Sequence, residues 1–399
     1  MPKDLNSKNS KTYLPRDISW MYFNHRILQE AQKEQVPLLE RLSFLGIYSN
    51  NLDEFFRVRV ASQNRVAECE DKEAKTDREE AIYILKEINK LNAAYSKEFE
   101  KTIKSINQKL REENIYLLQE DELDEEQRAF IKDFYYQKLC GYVLPTWFPA
   151  TKQLKSSTDE SIYLAVKMRR KDLSSKKAEY AFLELPVSIS GRFVRLNDKD
   201  GKCYLTYLDD VIRCCLPLIF SGQNYTDFEA YSFKFTRDAE MEIDNDLRNG
   251  MLQKISKGVK SRKKGAPMRI VYDAAMPKVL LKHIMNTLYV DKLDTVLAGG
   301  RYQNHKDLMK FPDCGRKDLK YPAWPPILKK ELASPEESIL ELIRQKDRYI
   351  HVPYHSFDSY LRVLQEAAIN REVKSIKTTL YRLCLLYTSP SPRDRSLSR

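Results

Sequence analysis

Ile47-Tyr-Ser-Asn-Asn-Leu-Asp-Glu-Phe-Phe-Arg-Val-Arg-Val-Ala61 packs an amide pair, an acidic pair and paired arginines into one short stretch. Asn51 and Glu54 have the spacing of a capping box, and Phe55, Val58 and Ala61 recur behind them at helical intervals. The stretch therefore predicts a helix starting near Asn51. Helix N-terminal amides and asparagine side chains suit a nucleotide or phosphate, and the forked donors of Arg57 and Arg59 suit phosphate oxygens. The same residues also describe a plain helix start, with Asn51 as N-cap and the arginines as surface charges.

Helical patterns lie on both sides. Trp20, Phe23, Ile27, Leu28 and Ala31 fall on one helix face. Pro37 suits a first helical turn, with Leu38, Leu39, Leu42 and Leu45 forming the next apolar face. From Asp77 to about Arg111 the series Ile82, Leu85, Ile88, Leu91, Tyr95, Phe99, Ile103, Ile106, Leu110 is helical throughout. Residues 14–111 read as an all-α domain behind a polar tail, 1–13, expected to be disordered.

The texture changes after Ile115. A helix at about 124–139 precedes strand-like runs at Ile162–Met168, Tyr180–Leu185, Arg192–Leu196, Tyr204–Leu208 and Arg269–Tyr272. Helices near 209–219, 240–256 and 277–287 alternate with them, so 115–320 reads as a mixed α/β domain. Tyr321-Pro-Ala-Trp-Pro-Pro-Ile327 opens a stiff linker over 321–334. A helix at about 335–345, a turn at His351–Ser356, a helix at about 357–369 and a strand at Ser375–Tyr381 then begin another α/β unit, 335–383. The fold class is multidomain α+β. The last residues, 384–399, continue neither pattern and are expected to be a non-native ending.

Composition narrows the partners. The hydrophobic fraction of 42% and charged fraction of 31% fit a folded chain, and Gly 11 with Pro 17 excludes collagen-like or low-complexity sequence. Lys+Arg 68 against Asp+Glu 57 gives +11, and the tail accounts for only +2 of it. A basic balance of that kind favours polyanions: nucleic acid, nucleotides, phosphate chains or anionic membrane. The longest charge-free stretches, Leu139–Thr151 and Cys214–Thr226, are too short for a membrane span, and the N-terminus lacks a signal-peptide core. Seven cysteines without a CxxC pair predict reduced cytoplasmic thiols rather than a disulfide framework or zinc site.

No GxxxxGK[ST] loop, GxGxxG after a strand or HExxH occurs, and none of the five histidines begins an HxK segment. Other dense polar stretches remain. Gly299-Gly-Arg-Tyr-Gln-Asn-His-Lys306 allows close backbone approach and offers Arg301 and Lys306 to phosphate, or else forms a tight turn before a helix. Lys254–Lys264 is a basic loop that attracts a polyanion or is simply solvated. His351–Phe357 places Ser356 as an N-cap, and its histidines are either structural or functional. Arg382 follows at the C-terminal end of a strand, where open α/β sheets place ligand groups.

Together these stretches resemble bacterial polyphosphate kinase, the large phosphohistidine-type enzyme. The resemblance rests on Asp17–Asn24, Phe44–Phe56, Phe235–Glu240, Gly299–Tyr302, Lys306-Asp307, Pro353–Phe357 and Ile376–Arg382, in order from about residue 14 to 383. It implies a helical N-terminal domain, a head domain and the opening of a phospholipase-D-like catalytic domain. It implies that Asn51 contacts ATP and that Arg382 helps hold Mg²⁺ and phosphate. The phosphorylated histidine would lie in an HxK segment that this chain lacks, so the chain alone is expected to be inactive. Implied partners are ATP/ADP, inorganic polyphosphate and further copies of the chain as a homo-oligomer. No specific nucleic acid is implied, and the expected location is cytoplasmic, with peripheral membrane contact conceivable through charge alone. The alternative reading is a non-catalytic basic protein that binds polyanions or dimerises.

Overall fold

The computed structural model describes residues 13–69, 75–148, 161–170, 178–236, 269–288, 295–332 and 336–378. The expected disordered tail (apart from Tyr13), the helix at 240–256, the basic loop Lys254–Lys264, Arg382 and the ending 384–399 lie outside the described residues. The chain forms two compact units, residues 1–321 and 322–399.

The first unit opens with α1 (Arg16–Gln32), α2 (Leu38–Phe55), a π-helical turn (Phe56–Val60), α3 (Ala61–Ala67) and α4 (Lys75–Glu112). α4 spans 38 residues and buries Leu85, Ile88, Tyr95, Phe99, Ile103, Ile106 and Leu110 along one stripe. Two readings of these stripes need correcting. Phe23 and Ile82 point outward, while Ile18, Met21, Asn24, Ala81 and Ile84 turn inward. A helix face is set by what packs across it, and the α1 face that meets α2 and α4 is centred on Met21 and Leu28.

The helix predicted to start at Asn51 does not start there. Asn51 lies inside α2, without a break. Leu45, Tyr48, Leu52, Phe55 and Phe56 carry one buried face straight through the asparagine pair. Burial of that face outweighs the weak helix propensity of asparagine.

The head follows as β1 (Ile115–Leu118), α5 (Glu125–Phe134), β2 (Thr146–Trp147), β3 (Tyr163–Arg170), β4 (Glu179–Glu184), a single turn α6 (Val187–Ser190), β5 (Phe193–Arg195) and β6 (Cys203–Tyr207). It continues with α7 (Leu208–Ile219), β7 (Tyr225–Thr236), β8 (Arg269–Asp273), α8 (Lys278–Leu288) and β9 (Thr295–Gly299). A six-stranded sheet runs β2-β4-β3-β7-β8-β9 and a three-stranded one β1-β6-β5. The large sheet is antiparallel except for the parallel pair β8 and β9. Alternation along β3 sends Leu164, Val166 and Met168 to a core with α5 and α7, and Tyr163 and Ala165 to a core with α8. Sequence reading missed β1, β2, β7 and β9.

The helical region and the head share a core. Ile115, Cys203, Leu205, Leu308 and Phe311 pack among the residues of α1, α2 and α4. Cys203 and Cys314 form a disulfide with Cα atoms 6.1 Å apart, which corrects the reduced-thiol expectation for this pair. The loop after β9 folds over β6, so residues 111 apart in sequence meet, and spacing along the chain does not reveal it.

The second unit contains α9 (Ile339–Gln345) and α10 (Asp358–Ile369). Ser338 caps α9, and Glu366 of α10 accepts from the Ile339 amide at 2.8 Å. The His351 amide donates to His355 Nδ1 at 2.9 Å, closing the predicted turn. Ser356 accepts from the Asp358 amide at 3.1 Å. The described part of the predicted strand, Ser375–Thr378, is not a strand, because no neighbouring strand among the described residues pairs with it.

Candidate functional site

The polar face of α2 and of the π-helical turn that continues it carries Asn50, Asp53, Glu54 and Arg57, which follow one another at helical intervals. This face meets the end of β7, the start of β8 and the loop after β9. There a small cavity of about 30 Å³ is lined by Asn50, Asp53, Glu54, Arg57, Lys234, Thr236 and Lys306. A second cavity of about 70 Å³ adjoins it through Asp53 and Lys234, with Tyr48, Leu52, Phe99, Val271, His305 and Glu100 in its walls.

Asp53 anchors the junction. Lys234 Nζ donates to its Oδ2 at 2.6 Å and Arg269 Nη1 to its Oδ1 at 2.9 Å. Lys234 Nζ also donates to Asn304 Oδ1 at 2.6 Å. Burial alone would push the Asp53 carboxyl up, but Lys234 and Arg269 outweigh it and hold it below the usual carboxylate range. The Arg269 guanidinium also sits 4.7 Å from the Phe56 ring centroid.

The loop Gly299–Lys306 is pinned on several sides. Gly300 donates its amide to Glu100 Oε1 at 3.0 Å, so this glycine serves approach to a side chain of α4. Asn304 adopts φ 60°, a left-handed conformation that asparagine tolerates. The half-buried His305 lies beside Phe99, ring centroids 4.8 Å apart. Burial, with the cations Arg192 and Lys234, pushes its imidazole down to about 3, so it is neutral.

A separate charged cluster joins the end of β1 to α7 and the same loop. Arg301 contacts Glu120 and Asp210; Arg213 Nη1 donates to Asp210 Oδ1 at 2.7 Å, and the Tyr302 hydroxyl to Asp210 Oδ2 at 2.6 Å. Burial pushes the Asp210 carboxyl up to about 7, against the pull of Arg213. Burial acts the same way on Glu120, but its hydrogen bonds with Asp210 and Arg301 overcome it and bring it down to about 2.

The candidates picked from sequence therefore separate. Arg57 and Lys306, far apart in the chain, line one cavity. Asn51 stands half-buried on α2, one position from Asn50 and two from Asp53. Arg59 turns away to Asp17, with Nε 2.9 Å from Oδ1 and Nη2 3.2 Å from Oδ2. Arg301 is committed to Glu120 and Asp210. Sequence reasoning missed Asp53, Lys234 and Arg269. Lys234 had a signal, as the lone charge between Phe233 and Phe235 on a strand that is otherwise uncharged at that end. Among the described residues no three His, Cys, Asp or Glu side chains come together as a metal-holding group. By themselves the described residues do not fit Mg²⁺.

Three family models of one family match successive parts of the chain. The model described as polyphosphate kinase N-terminal domain matches residues 13–118, the middle-domain model 126–311, and the C-terminal domain 1 model 338–386. The chain belongs to the polyphosphate kinase family. The polyphosphate kinase of Vibrio parahaemolyticus is 33% identical over 377 residues, covering 94% of this chain and 53% of that protein. That of Escherichia coli K12 is 31% identical over 378 residues, covering 94% and 54%. The chain thus spans about half the length of the curated relatives it matches. The crystal structure of polyphosphate kinase from Porphyromonas gingivalis superposes with a TM-score of 0.70 at 29% identity, covering 91% of this chain and 50% of that one.

Proposed function

We propose that this chain supplies the nucleotide-holding part of an ATP:polyphosphate phosphotransferase. The reaction would move the terminal phosphate of ATP reversibly to inorganic polyphosphate. An imidazole nitrogen would attack the γ-phosphorus and ADP would leave; the phosphohistidine would then pass its phosphoryl group to the growing chain. That histidine belongs to an HxK segment, which this sequence does not contain.

The observation that carries the reading is the cavity where Arg57, Lys234 and Lys306 converge beside Asn50, the neighbour of Asn51 on α2. In this reading Asn51 contacts ATP. Arg57 and Lys306 face its phosphates, where a forked guanidinium and an ammonium both offer donors. Arg59 and Arg301, committed to carboxylates, hold the fold instead. Arg382 would help hold Mg²⁺ and phosphate, and the metal would arrive with the nucleotide. A cytoplasmic location and assembly of several copies complete the proposal; among the described residues no helix is long and apolar enough to cross a membrane.

Calorimetric titration of the purified chain with ATP tests it. Saturable binding that Asn51→Ala weakens about tenfold, a loss of about 1.4 kcal/mol, is the expected result. Salt-sensitive binding of every polyanion alike, without preference for ATP, would favour the non-catalytic polyanion-binding reading instead. ATP-dependent synthesis of polyphosphate by this chain alone would contradict the assignment of the histidine to another segment.

A further inference from the structure

We propose that Asp53 is a positioning residue for the nucleotide, fixing the turn of α2 that carries Asn51 against the head sheet. The inference rests on the ATP reading of Asn51 above.

Asp53 follows Asn51 by two positions in an unbroken helix, so whatever fixes the rotation of Asp53 about the helix axis also fixes that of Asn51. Both carboxylate oxygens are taken. Oδ2 accepts from Lys234 on β7 and Oδ1 from Arg269 on β8, at 2.6 and 2.9 Å. The cations come from adjacent paired strands, in a register that sets Lys234 opposite Val271 and Thr236 opposite Arg269. The clamp therefore ties one helix residue to separate points on the sheet, which fixes the direction in which that residue faces. A further limb runs from Lys234 Nζ to Asn304 Oδ1, which ties in the loop bearing Lys306. Arg269 also stacks over Phe56, one turn further along in the π-helical continuation of α2.

Stability alone does not explain this arrangement. Leu45, Tyr48, Leu52, Phe55 and Phe56 already bury one face of the helix and its continuation. Lys234 is 6% and Arg269 8% exposed, so these charges have largely left water. Buried ion pairs of this kind add little net stability over apolar side chains of similar volume. What the trio supplies, and apolar contact does not, is direction. Apolar faces slide by a fraction of a side chain at small cost, whereas short charge-assisted hydrogen bonds from fixed strands do not.

The test is titration of ATP into the purified chain, with melting temperature measured in parallel, for wild type, Asn51→Ala, Asp53→Asn, Asp53→Glu and the double variant Asn51→Ala/Asp53→Asn. Leu28→Ala, in the α1 core, serves as a destabilised control. Asp53→Asn is expected to weaken ATP binding about tenfold, Asp53→Glu to restore part of the loss, and Leu28→Ala to leave affinity within about twofold. The double variant is expected to bind no more weakly than Asn51→Ala alone, because Asp53 acts through Asn51. Wild-type affinity in Asp53→Asn, or a loss that adds in full to that of Asn51→Ala, would overturn the inference. If Asp53→Asn does not fold, Arg269→Gln breaks the other limb, and unchanged affinity in that variant would overturn it equally. Absence of ATP binding by wild type would defeat the underlying ATP reading, and this inference with it. Binding by wild type that Asn51→Ala weakens and Asp53→Asn leaves intact defeats the inference alone.

Discussion

The Tyr302 hydroxyl donates a 2.6 Å hydrogen bond to Oδ2 of Asp210, a side chain with no exposure to solvent. Burial pushes this carboxyl up to about 7, against an ordinary value of 3.8. Between those values the folded chain holds a proton that the unfolded chain has released. Stability from this group is present at low pH and is lost as pH rises through about 7, by about 1.4 kcal/mol per pH unit across the window. Asp210→Asn cannot release the proton. Its stability relative to wild type is expected to rise with pH between about 4 and 7. Urea denaturation at a series of pH values measures it, and a constant difference would mean that Asp210 is ionised throughout.

His305 has the opposite sign. Burial pushes its imidazole down to about 3 from 6.5, so the unfolded chain binds a proton that the folded chain does not. Its contribution is present above about 6.5 and lost as pH falls, again by about 1.4 kcal/mol per pH unit. Over pH 4 to 6.5 the slopes of Asp210 and His305 cancel. Each variant should therefore unmask the other group: Asp210→Asn should steepen the loss of stability toward acid, and His305→Phe should reverse it. Parallel curves for wild type and His305→Phe would show that the imidazole keeps an ordinary affinity for protons in the fold.

Arg59 and Arg57 sit two positions apart on the same chain segment, yet opposite outcomes are expected for them. The Asp17 side chain is 5% exposed and accepts from both Arg59 and Gln63. Arg59→Ala leaves that carboxylate with fewer donors, at a cost of about 1–3 kcal/mol, and ATP affinity should stay within about twofold. Arg57→Ala should weaken ATP about tenfold and flatten its dependence on salt. Calorimetry on both variants decides between them. If Arg59→Ala loses as much affinity as Arg57→Ala, Arg59 belongs with the phosphate contacts after all.

How much of this could be read in the sequence depended on whether a signal was local. The stripe from Leu85 to Leu110 on α4 and the alternation along β3 arise within one element, and the strand or helix could be named from its own residues. Asn51 shows the limit. Its capping spacing with Glu54 was real as a pattern, but a helix boundary is decided by what packs on either side, and the buried face running from Leu45 to Phe56 overrode it. Arg57 and Lys306 were each legible as cations near polar turns, while their meeting was not, because it is made by the loop after β9 crossing α2. Asp53, Lys234 and Arg269 were missed for the same reason. Separations of 181 and 216 residues leave no trace in local spacing. The resemblance to polyphosphate kinase supplied Asn51, a residue that local patterns described equally well as a plain N-cap.

Gly46 tests how closely that loop must approach α2. A Cβ there would lie 2.6 Å from Met309 Cγ, 2.8 Å from the Met309 backbone nitrogen and 3.2 Å from the Lys306 carbonyl oxygen. Helix propensity alone would make Gly46→Ala stabilising by about 1 kcal/mol. A side chain can swing aside, but the Met309 backbone is part of a short 3₁₀ helix, His305–Lys310, and can retreat only by lifting that segment. Overpacking should therefore set the sign, with a net loss of about 1–3 kcal/mol. Lifting the segment also moves Lys306, so ATP affinity should fall in the same variant. Gly300 provides the contrast: its Cβ would meet the Glu100 carboxylate at 2.6 Å, the far end of a flexible side chain. Gly300→Ala should cost less than Gly46→Ala, and Glu100→Ala added to it should cost less than the sum of the two single changes. Urea denaturation of the four variants, with ATP titration of Gly46→Ala, reads both effects. A stabilised Gly46→Ala would show that the 3₁₀ segment yields freely and that Lys306 is not held in place by α2.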